Sequence, residues 1–195
     1  MNCRSWTPHN VRTLGIREHN MSAVTSTSSQ NLLSRVTWYA LTVLLLTTVH
    51  HVYGAYVYHT PWRLHVAFVS GAAAAAIVGS LLVLRRQMDD VAHHVAFWTL
   101  VGVTLVLPVG AIGLFEGAYN HVLKDALYLA GTSTSLMIRL FPPPAYELPN
   151  NAFFEITGVM QVVPAGVTGW LLYRLVRSRW GASTSSTDLS ITMSR

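Results

Sequence analysis

The chain has 195 residues, of which 51% are apolar and only 11% charged, with a formal net charge of +5. A soluble domain carries about 25% charged residues, so this composition excludes an ordinary soluble enzyme, and the apolar content excludes disorder over most of the length. The single cysteine, Cys3, excludes an internal disulfide framework and any multi-cysteine zinc or iron–sulfur site, and the basic residues (all arginine except Lys124) lie at segment ends and in the tails, which is no nucleic-acid footprint.

Residues 1–34 are polar, rich in Ser, Thr and Asn (SAVTSTSS over 22–29), and read as a flexible tail. They hold no apolar core of the kind a secretory signal needs, and Glu18 and the scarcity of apolar residues speak against an arginine-containing transit peptide. Met21 is an alternative start.

Four apolar stretches follow, at about 36–56, 64–84, 95–115 and 152–172. Each is close to the roughly 20 residues that cross a hydrocarbon core, and only helices satisfy their backbone amides there. The second carries an alanine run (Ala72 to Ala76) and small residues four apart (Gly71, Ala75, Gly79), which predicts close helix packing; Gly158, Ala165, Gly166 and Gly169 do the same for the fourth. Pro108 and Pro164 predict kinks in the third and fourth spans. Between those spans, residues 119–140 have helical apolar spacing and predict an interfacial or re-entrant helix that Pro142, Pro143 and Pro144 end. Residues 181–195 form a second polar tail.

The fold expected is an all-α integral membrane protein, a four-transmembrane-helix bundle over 35–180 with an extra helix in the long outer loop. Arg4, Arg12, Arg17 and Arg35 precede the first span, Arg85 and Arg86 follow the second, and Arg174, Arg177 and Arg179 follow the fourth, against Arg63, Lys124 and Arg139 in the opposite loops. The positive-inside rule then places both termini in the cytoplasm, N-in and C-in, in a plasma or inner membrane. Tyr53, Tyr56, Tyr58 and Trp62 fit the outer aromatic belt, and Trp38, Trp98, Tyr173 and Trp180 the inner one.

This topology delivers ionisable residues from several segments to one end of the bundle. His50 and His51 lie late in the first span, His65 opens the second, Glu116 closes the third with His121 five residues beyond, and Glu155 opens the fourth. Intramembrane charge demands a partner or a cavity. Imidazoles with carboxylates are a good shell for zinc, iron or copper, so His51, His65, Glu116, His121, Glu155 and His50 are the candidate metal ligands, with Arg63 and Asn120 supporting a carboxylate or water behind them. Two carboxylates with several histidines also match a two-metal shell.

No recognised spacing motif is present: HExxH, the HxxxH and HxxHH boxes and Glu-x-x-His are all absent. Glu116 and His121, five apart, fall about 140° apart on an α-helix and share a face only if the helix breaks at Gly117. His50 and His51 lie about 7 Å deeper than the expected span end, so a common site requires the outer loop to dip inward. A smaller inner group, Asp90 with His94 beside Asp89 with His93, has i, i+4 spacing, for which a solvated helix start is the plain alternative. His59 is expected to be solvated. Haem between His51 and His65 is a further alternative. Thr47, Thr48, Thr157 and Gln161 could line a polar path that stops at the apolar inner half. The leading expectation is a membrane protein with an outer metal cluster supporting redox or metal-dependent chemistry; the rival is a non-catalytic subunit or assembly factor of a larger membrane complex.

Overall fold

The computed structural model describes residues 9–86, 88–142 and 149–192, and side chains within 29–179 of these. Helix α1 runs His9–Val57, a 3-10 turn spans Pro61–Leu64, α2 is His65–Arg85 and α3 is Asp90–Thr104. The chain then continues without a break as a π-helix, Leu105–Leu123. Short helices α4 (Lys124–Leu129) and α5 (Thr134–Leu140) precede α6 (Ala152–Val159) and α7 (Val162–Thr192). All regular structure among the described residues is helical. The tails expected at 1–34 and 181–195 fall largely outside the residues whose side chains are described, as do Pro143, Pro144 and Trp180. Helix α1 begins at His9 and α7 ends at Thr192.

Four helical stretches are long and apolar enough to cross a membrane: Ser29–Val57, Pro61–Arg85, Asp90–Leu129 and Ala152–Arg179. The third differs from its expected extent, 95–115. Its helix does not stop at Glu116 but winds on through His121 to Leu129. Pro108 sits early in the π stretch. A proline has no N–H to give and crowds the preceding turn, and a wider winding is one of the ways a helix absorbs this. The fourth span is interrupted at Met160 and Gln161, between α6 and α7. Pro164 lies in the first turn of α7, where a missing N–H costs no intrahelical bond, and Thr168 Oγ1 donates to its carbonyl at 2.7 Å. Asn151 caps α6 by accepting from the Phe154 amide at 3.0 Å, and Asp89 caps α3 through the Ala92 amide at 2.7 Å.

The spans pack around a common core: α1 packs on α2 and α7, α2 on α3, and the π segment on α7. Two apolar layers fill it. Leu33, Val36, Leu81, Phe97, Leu100, Leu171 and Leu175 form one, drawn from all four spans. Ala40, Val43, Ala73, Ile77, Ile112 and Ala165 form the next, thinner one. It is thin because Gly113 meets Ala165: a Cβ on Gly113 would stand 2.3 Å from the Ala165 Cβ. The small residues of the second span do something else. Gly71, Ala75 and Gly79 face outward, and a Cβ on Gly71 or Gly79 would meet nothing within 4 Å, while Ala73, Ile77 and Leu81 turn inward. Gly166 is likewise open, whereas Gly158 and Ala165 lie at true close approaches. Exposed Trp38, Leu45, Phe68, Val106, Leu114 and Val163 give the bundle an apolar girdle of the kind lipid would cover. A third, polar layer lies beyond the alanine layer, at the end where α1 and the π segment finish.

Candidate metal centre

In the polar layer, α1 presents His50 and His51, the π segment presents Glu116, Asn120 and His121, and α6 presents Glu155 and Thr157. His50 and His121 are buried, at 0% and 2% exposure. Glu116 Oε1 is the hub: it lies 3.6 Å from His50 Nε2, 3.6 Å from His51 Nε2 and 3.7 Å from His121 Nε2. His50 Nε2 and His121 Nε2 are 3.2 Å apart.

The two difficulties of spacing and depth have one solution. In a π-helix the amide bonds run i→i+5, so residues five apart return to the same face, and Glu116 and His121 meet without a break at Gly117. Because the third span extends past its expected end, both residues sit within it, level with His50 and His51, and no loop needs to dip. Glycines make the room. A Cβ on Gly158 would lie 2.3 Å from His121 Cδ2, so the His121 ring takes the space of the missing side chain on α6, and one on Gly117 would lie 2.8 Å from Val162 Cγ2 at the start of α7.

The outer nitrogen of each imidazole has an oxygen acceptor. His121 Nδ1 lies 2.7 Å from Glu155 Oε2. His51 Nδ1 lies 3.0 Å from the Thr47 carbonyl. His50 Nδ1 lies 3.0 Å from Thr157 Oγ1, whose own proton goes to the carbonyl of Phe153 at 2.8 Å or Phe154 at 3.0 Å. A carboxylate and a carbonyl cannot donate, and the threonine hydroxyl has already spent its proton, so each Nδ1 carries the hydrogen. In a neutral ring Nε2 is then the lone pair, and in a protonated one it carries a second hydrogen. All three face Glu116 Oε1, another acceptor, while Asn120 Nδ2 donates to the second oxygen, Oε2, at 3.0 Å. With neutral rings four electron-pair donors converge, and like partial charges held this close in a buried site need a positive charge, which a proton on one ring or a metal ion supplies.

His50, His51 and Glu116 have ligand atoms all within 4.8 Å of one another, and so does a second group, His121, Asp125 and Glu155. It is chemically different. Lys124 Nζ lies 3.4 Å from Glu155 and 3.7 Å from Asp125, so an ammonium already supplies the positive charge there. Lys124 is itself buried, at 3% exposure, inside this carboxylate pair.

The remaining candidate residues are placed as follows. His65 stands apart from the four: its Nδ1 contacts the Trp62 carbonyl and its ring stacks on Trp62 at 6.1 Å. It nevertheless lines, with His51 and Glu116, a cavity of about 230 Å³ that also takes in Trp62, Arg63, Asn120, His121 and Lys124. Arg63 is buried with its guanidinium over the rings of Tyr58, Trp62 and Phe154. Phe154 in turn stacks on His50 at 4.1 Å. His59 is exposed, with positive φ of 54° at the turn that ends α1. At the other end of the bundle Asp90 and His94 are exposed, His94 lies against Trp98, and His93 Nε2 meets the Arg86 carbonyl at 2.8 Å. Of the polar path, Thr48 turns back to the Leu44 carbonyl and Gln161 Nε2 donates to the Thr157 carbonyl at 3.3 Å, its Oε1 buried without a partner among the described residues.

Lys124, Asp125, Phe154 and the ring-sized gap at Gly158 were not singled out from the sequence. Lys124 had a signal: it is the one lysine in the chain and stands three residues after His121 in an apolar stretch. Comparison with protein-family models, with curated protein sequences and with solved structures finds no match for this chain.

Proposed function

We propose that this protein is an integral membrane metalloprotein holding one transition-metal ion (zinc, iron or copper) through His50, His51 and His121 Nε2 and Glu116 Oε1. The observation that carries the proposal is the convergence of three imidazole Nε2 atoms on one carboxylate oxygen, at 3.6 to 3.7 Å, with two of the nitrogens 3.2 Å apart. Four ligands at bond lengths of about 2.0–2.2 Å around one tetrahedral ion stand roughly 3.3–3.6 Å from one another. The contacts behind them are those that metal sites use to fix an imidazole: carboxylate, backbone carbonyl and hydroxyl on Nδ1. A haem between His51 and His65 is less well supported, since His65 Nδ1 contacts the Trp62 carbonyl and its ring stacks on Trp62.

His51 and Glu116 border the cavity, so an ion between them has a face toward it. That favours a centre that meets a small molecule, by Lewis-acid or redox chemistry, over a purely structural ion. The outward row Gly71, Ala75 and Gly79 favours a compatible second reading, in which the protein packs against other membrane subunits.

Elemental analysis of the protein purified in detergent tests the proposal, beside a doubly substituted Glu116→Ala/His121→Ala variant. One ion per chain, lost in a variant that retains its helical circular dichroism, is the expected result. A wild-type protein that holds no metal after loading with zinc, iron or copper overturns it.

A further inference from the structure

The candidate metal centre has a second entrance, on the flank of the bundle. A cavity of about 280 Å³ lies between α1, α2 and the π segment, lined by Leu44, Val66, Val69, Leu107, Ala111 and Phe115, with Thr47, His51, His65 and Glu116 at its end. It exists because α2 packs along α3 and diverges from the π segment, so the ring of helices is incomplete on that side. Val69, Ala111 and Phe115 are exposed and form the lips. They lie well inside the second and third spans, so the opening faces the membrane flank and not water. The polar cavity of about 230 Å³ shares His51, His65, Val66, Phe115 and Glu116 with it. An apolar cleft and a polar chamber bordered by Arg63, Asn120 and Lys124 therefore adjoin at two of the four metal-facing residues, His51 and Glu116.

From this we infer that the ligand of the centre is a single-chain membrane amphiphile with a carboxylate head, a long-chain fatty acid, which enters sideways between α2 and the π segment. The inference rests on the metal reading and names what meets the ion. The cleft takes an alkyl chain and offers it few polar partners. The chamber has the Arg63 guanidinium and the Asn120 amide on its wall, with Lys124 already paired to Glu155 and Asp125, and these together with the ion against Glu116 favour an anionic oxygen head over a cationic one. A water-soluble acid gains nothing from the cleft, whereas a long-chain acid already in the bilayer keeps its alkyl chain in apolar surroundings there. Together the two spaces reach the size of a small-ligand site, about 300–1,000 Å³.

The test uses zinc-loaded full-length protein in lipid nanodiscs, with metal content measured on the same samples. The probe is nitroxide-labelled stearate, read by its immobilised electron-spin signal. Palmitate is expected to displace it, and hexadecyltrimethylammonium and acetate are expected to fail at the same concentration. Ala111→Trp, which plugs one lip, is expected to weaken palmitate at least tenfold with zinc content unchanged; Val69→Trp on the other lip repeats the test should the first variant not fold. Stoichiometric zinc with no immobilised probe, equal displacement by the ammonium, or undiminished binding in both plugged variants would each overturn the inference. Absence of zinc from the loaded wild type would instead strike the metal reading, whatever the probe does.

Discussion

Glu116 is the residue on which the centre turns, because three histidines from two helices share a single oxygen of its carboxylate. Glu155 stands behind it, holding His121 by Nδ1 and held in turn by Lys124. The two glutamates therefore separate in experiment. Glu116→Gln keeps the shape but loses the charged oxygen, and is expected to abolish stoichiometric metal. Glu155→Gln leaves every ligand in place and loosens only the His121 ring, for which losses of about 10–100-fold in affinity are usual. Competition with a chromophoric chelator measures both. The opposite ranking, with Glu116→Gln nearly silent and Glu155→Gln metal-free, would move the ion to the His121, Asp125 and Glu155 group and make Lys124 the displaced cation.

At the scale of the elements, the π winding and the glycines decide whether those residues meet. The spans were legible in the sequence because apolar length is a direct physical signal: lipid tolerates nothing but a satisfied helix of about 20 residues. His50, His51, Glu116 and His121 were legible as chemistry for a related reason, since ionisable groups inside such spans are conspicuous. Their geometry was not. An α-helical wheel sets Glu116 and His121 on different faces, and nothing local to 105–123 except Pro108 announces a wider helix. The inward faces were misjudged as well, because Gly71, Ala75 and Gly79 form as good a small-residue row as Gly113, Gly117 and Gly158, and only the packing tells which row meets a neighbour. Gly158→Ala puts this to use. Its new methyl would lie 2.3 to 2.5 Å from three atoms of the His121 ring, so the ring must move. Such overpacking costs about 1–3 kcal/mol, and the variant is expected to melt lower and to bind metal weakly. Gly166→Ala, whose methyl meets nothing within 4 Å, is expected to be neutral or slightly stabilising, as alanine in a helix interior is favoured over glycine by about 1 kcal/mol. Thermal melts of both variants with and without zinc measure the contrast, and equal behaviour would remove the close approach at Gly158 as a determinant of the site.

Across the whole molecule the polarity is graded along the bundle: a leucine-rich layer, an alanine layer, then the histidine and glutamate layer. Which side of the membrane the last layer faces follows from charge and not from packing. Nine arginines flank the span ends opposite the histidines, whereas Arg63, Lys124 and Arg139 are the basic residues of the histidine end, and of these Arg63 and Lys124 are buried. Basic residues near span ends bias a loop toward the cytoplasm, so the expected orientation has both termini inside and the candidate metal centre outside. Cys3, the one cysteine in the sequence, makes this measurable. In intact cells a membrane-impermeant maleimide is expected to leave Cys3 unlabelled until the membrane is opened. With Cys3→Ser as background, Ser135→Cys, at an exposed position on α5, is expected to react at once. Labelling in the reverse order would turn the bundle over. The chamber bordered by Arg63, Asn120 and Lys124 would then draw its ligand from the cytoplasmic leaflet, and the arginine count would have to reflect lipid binding in place of orientation.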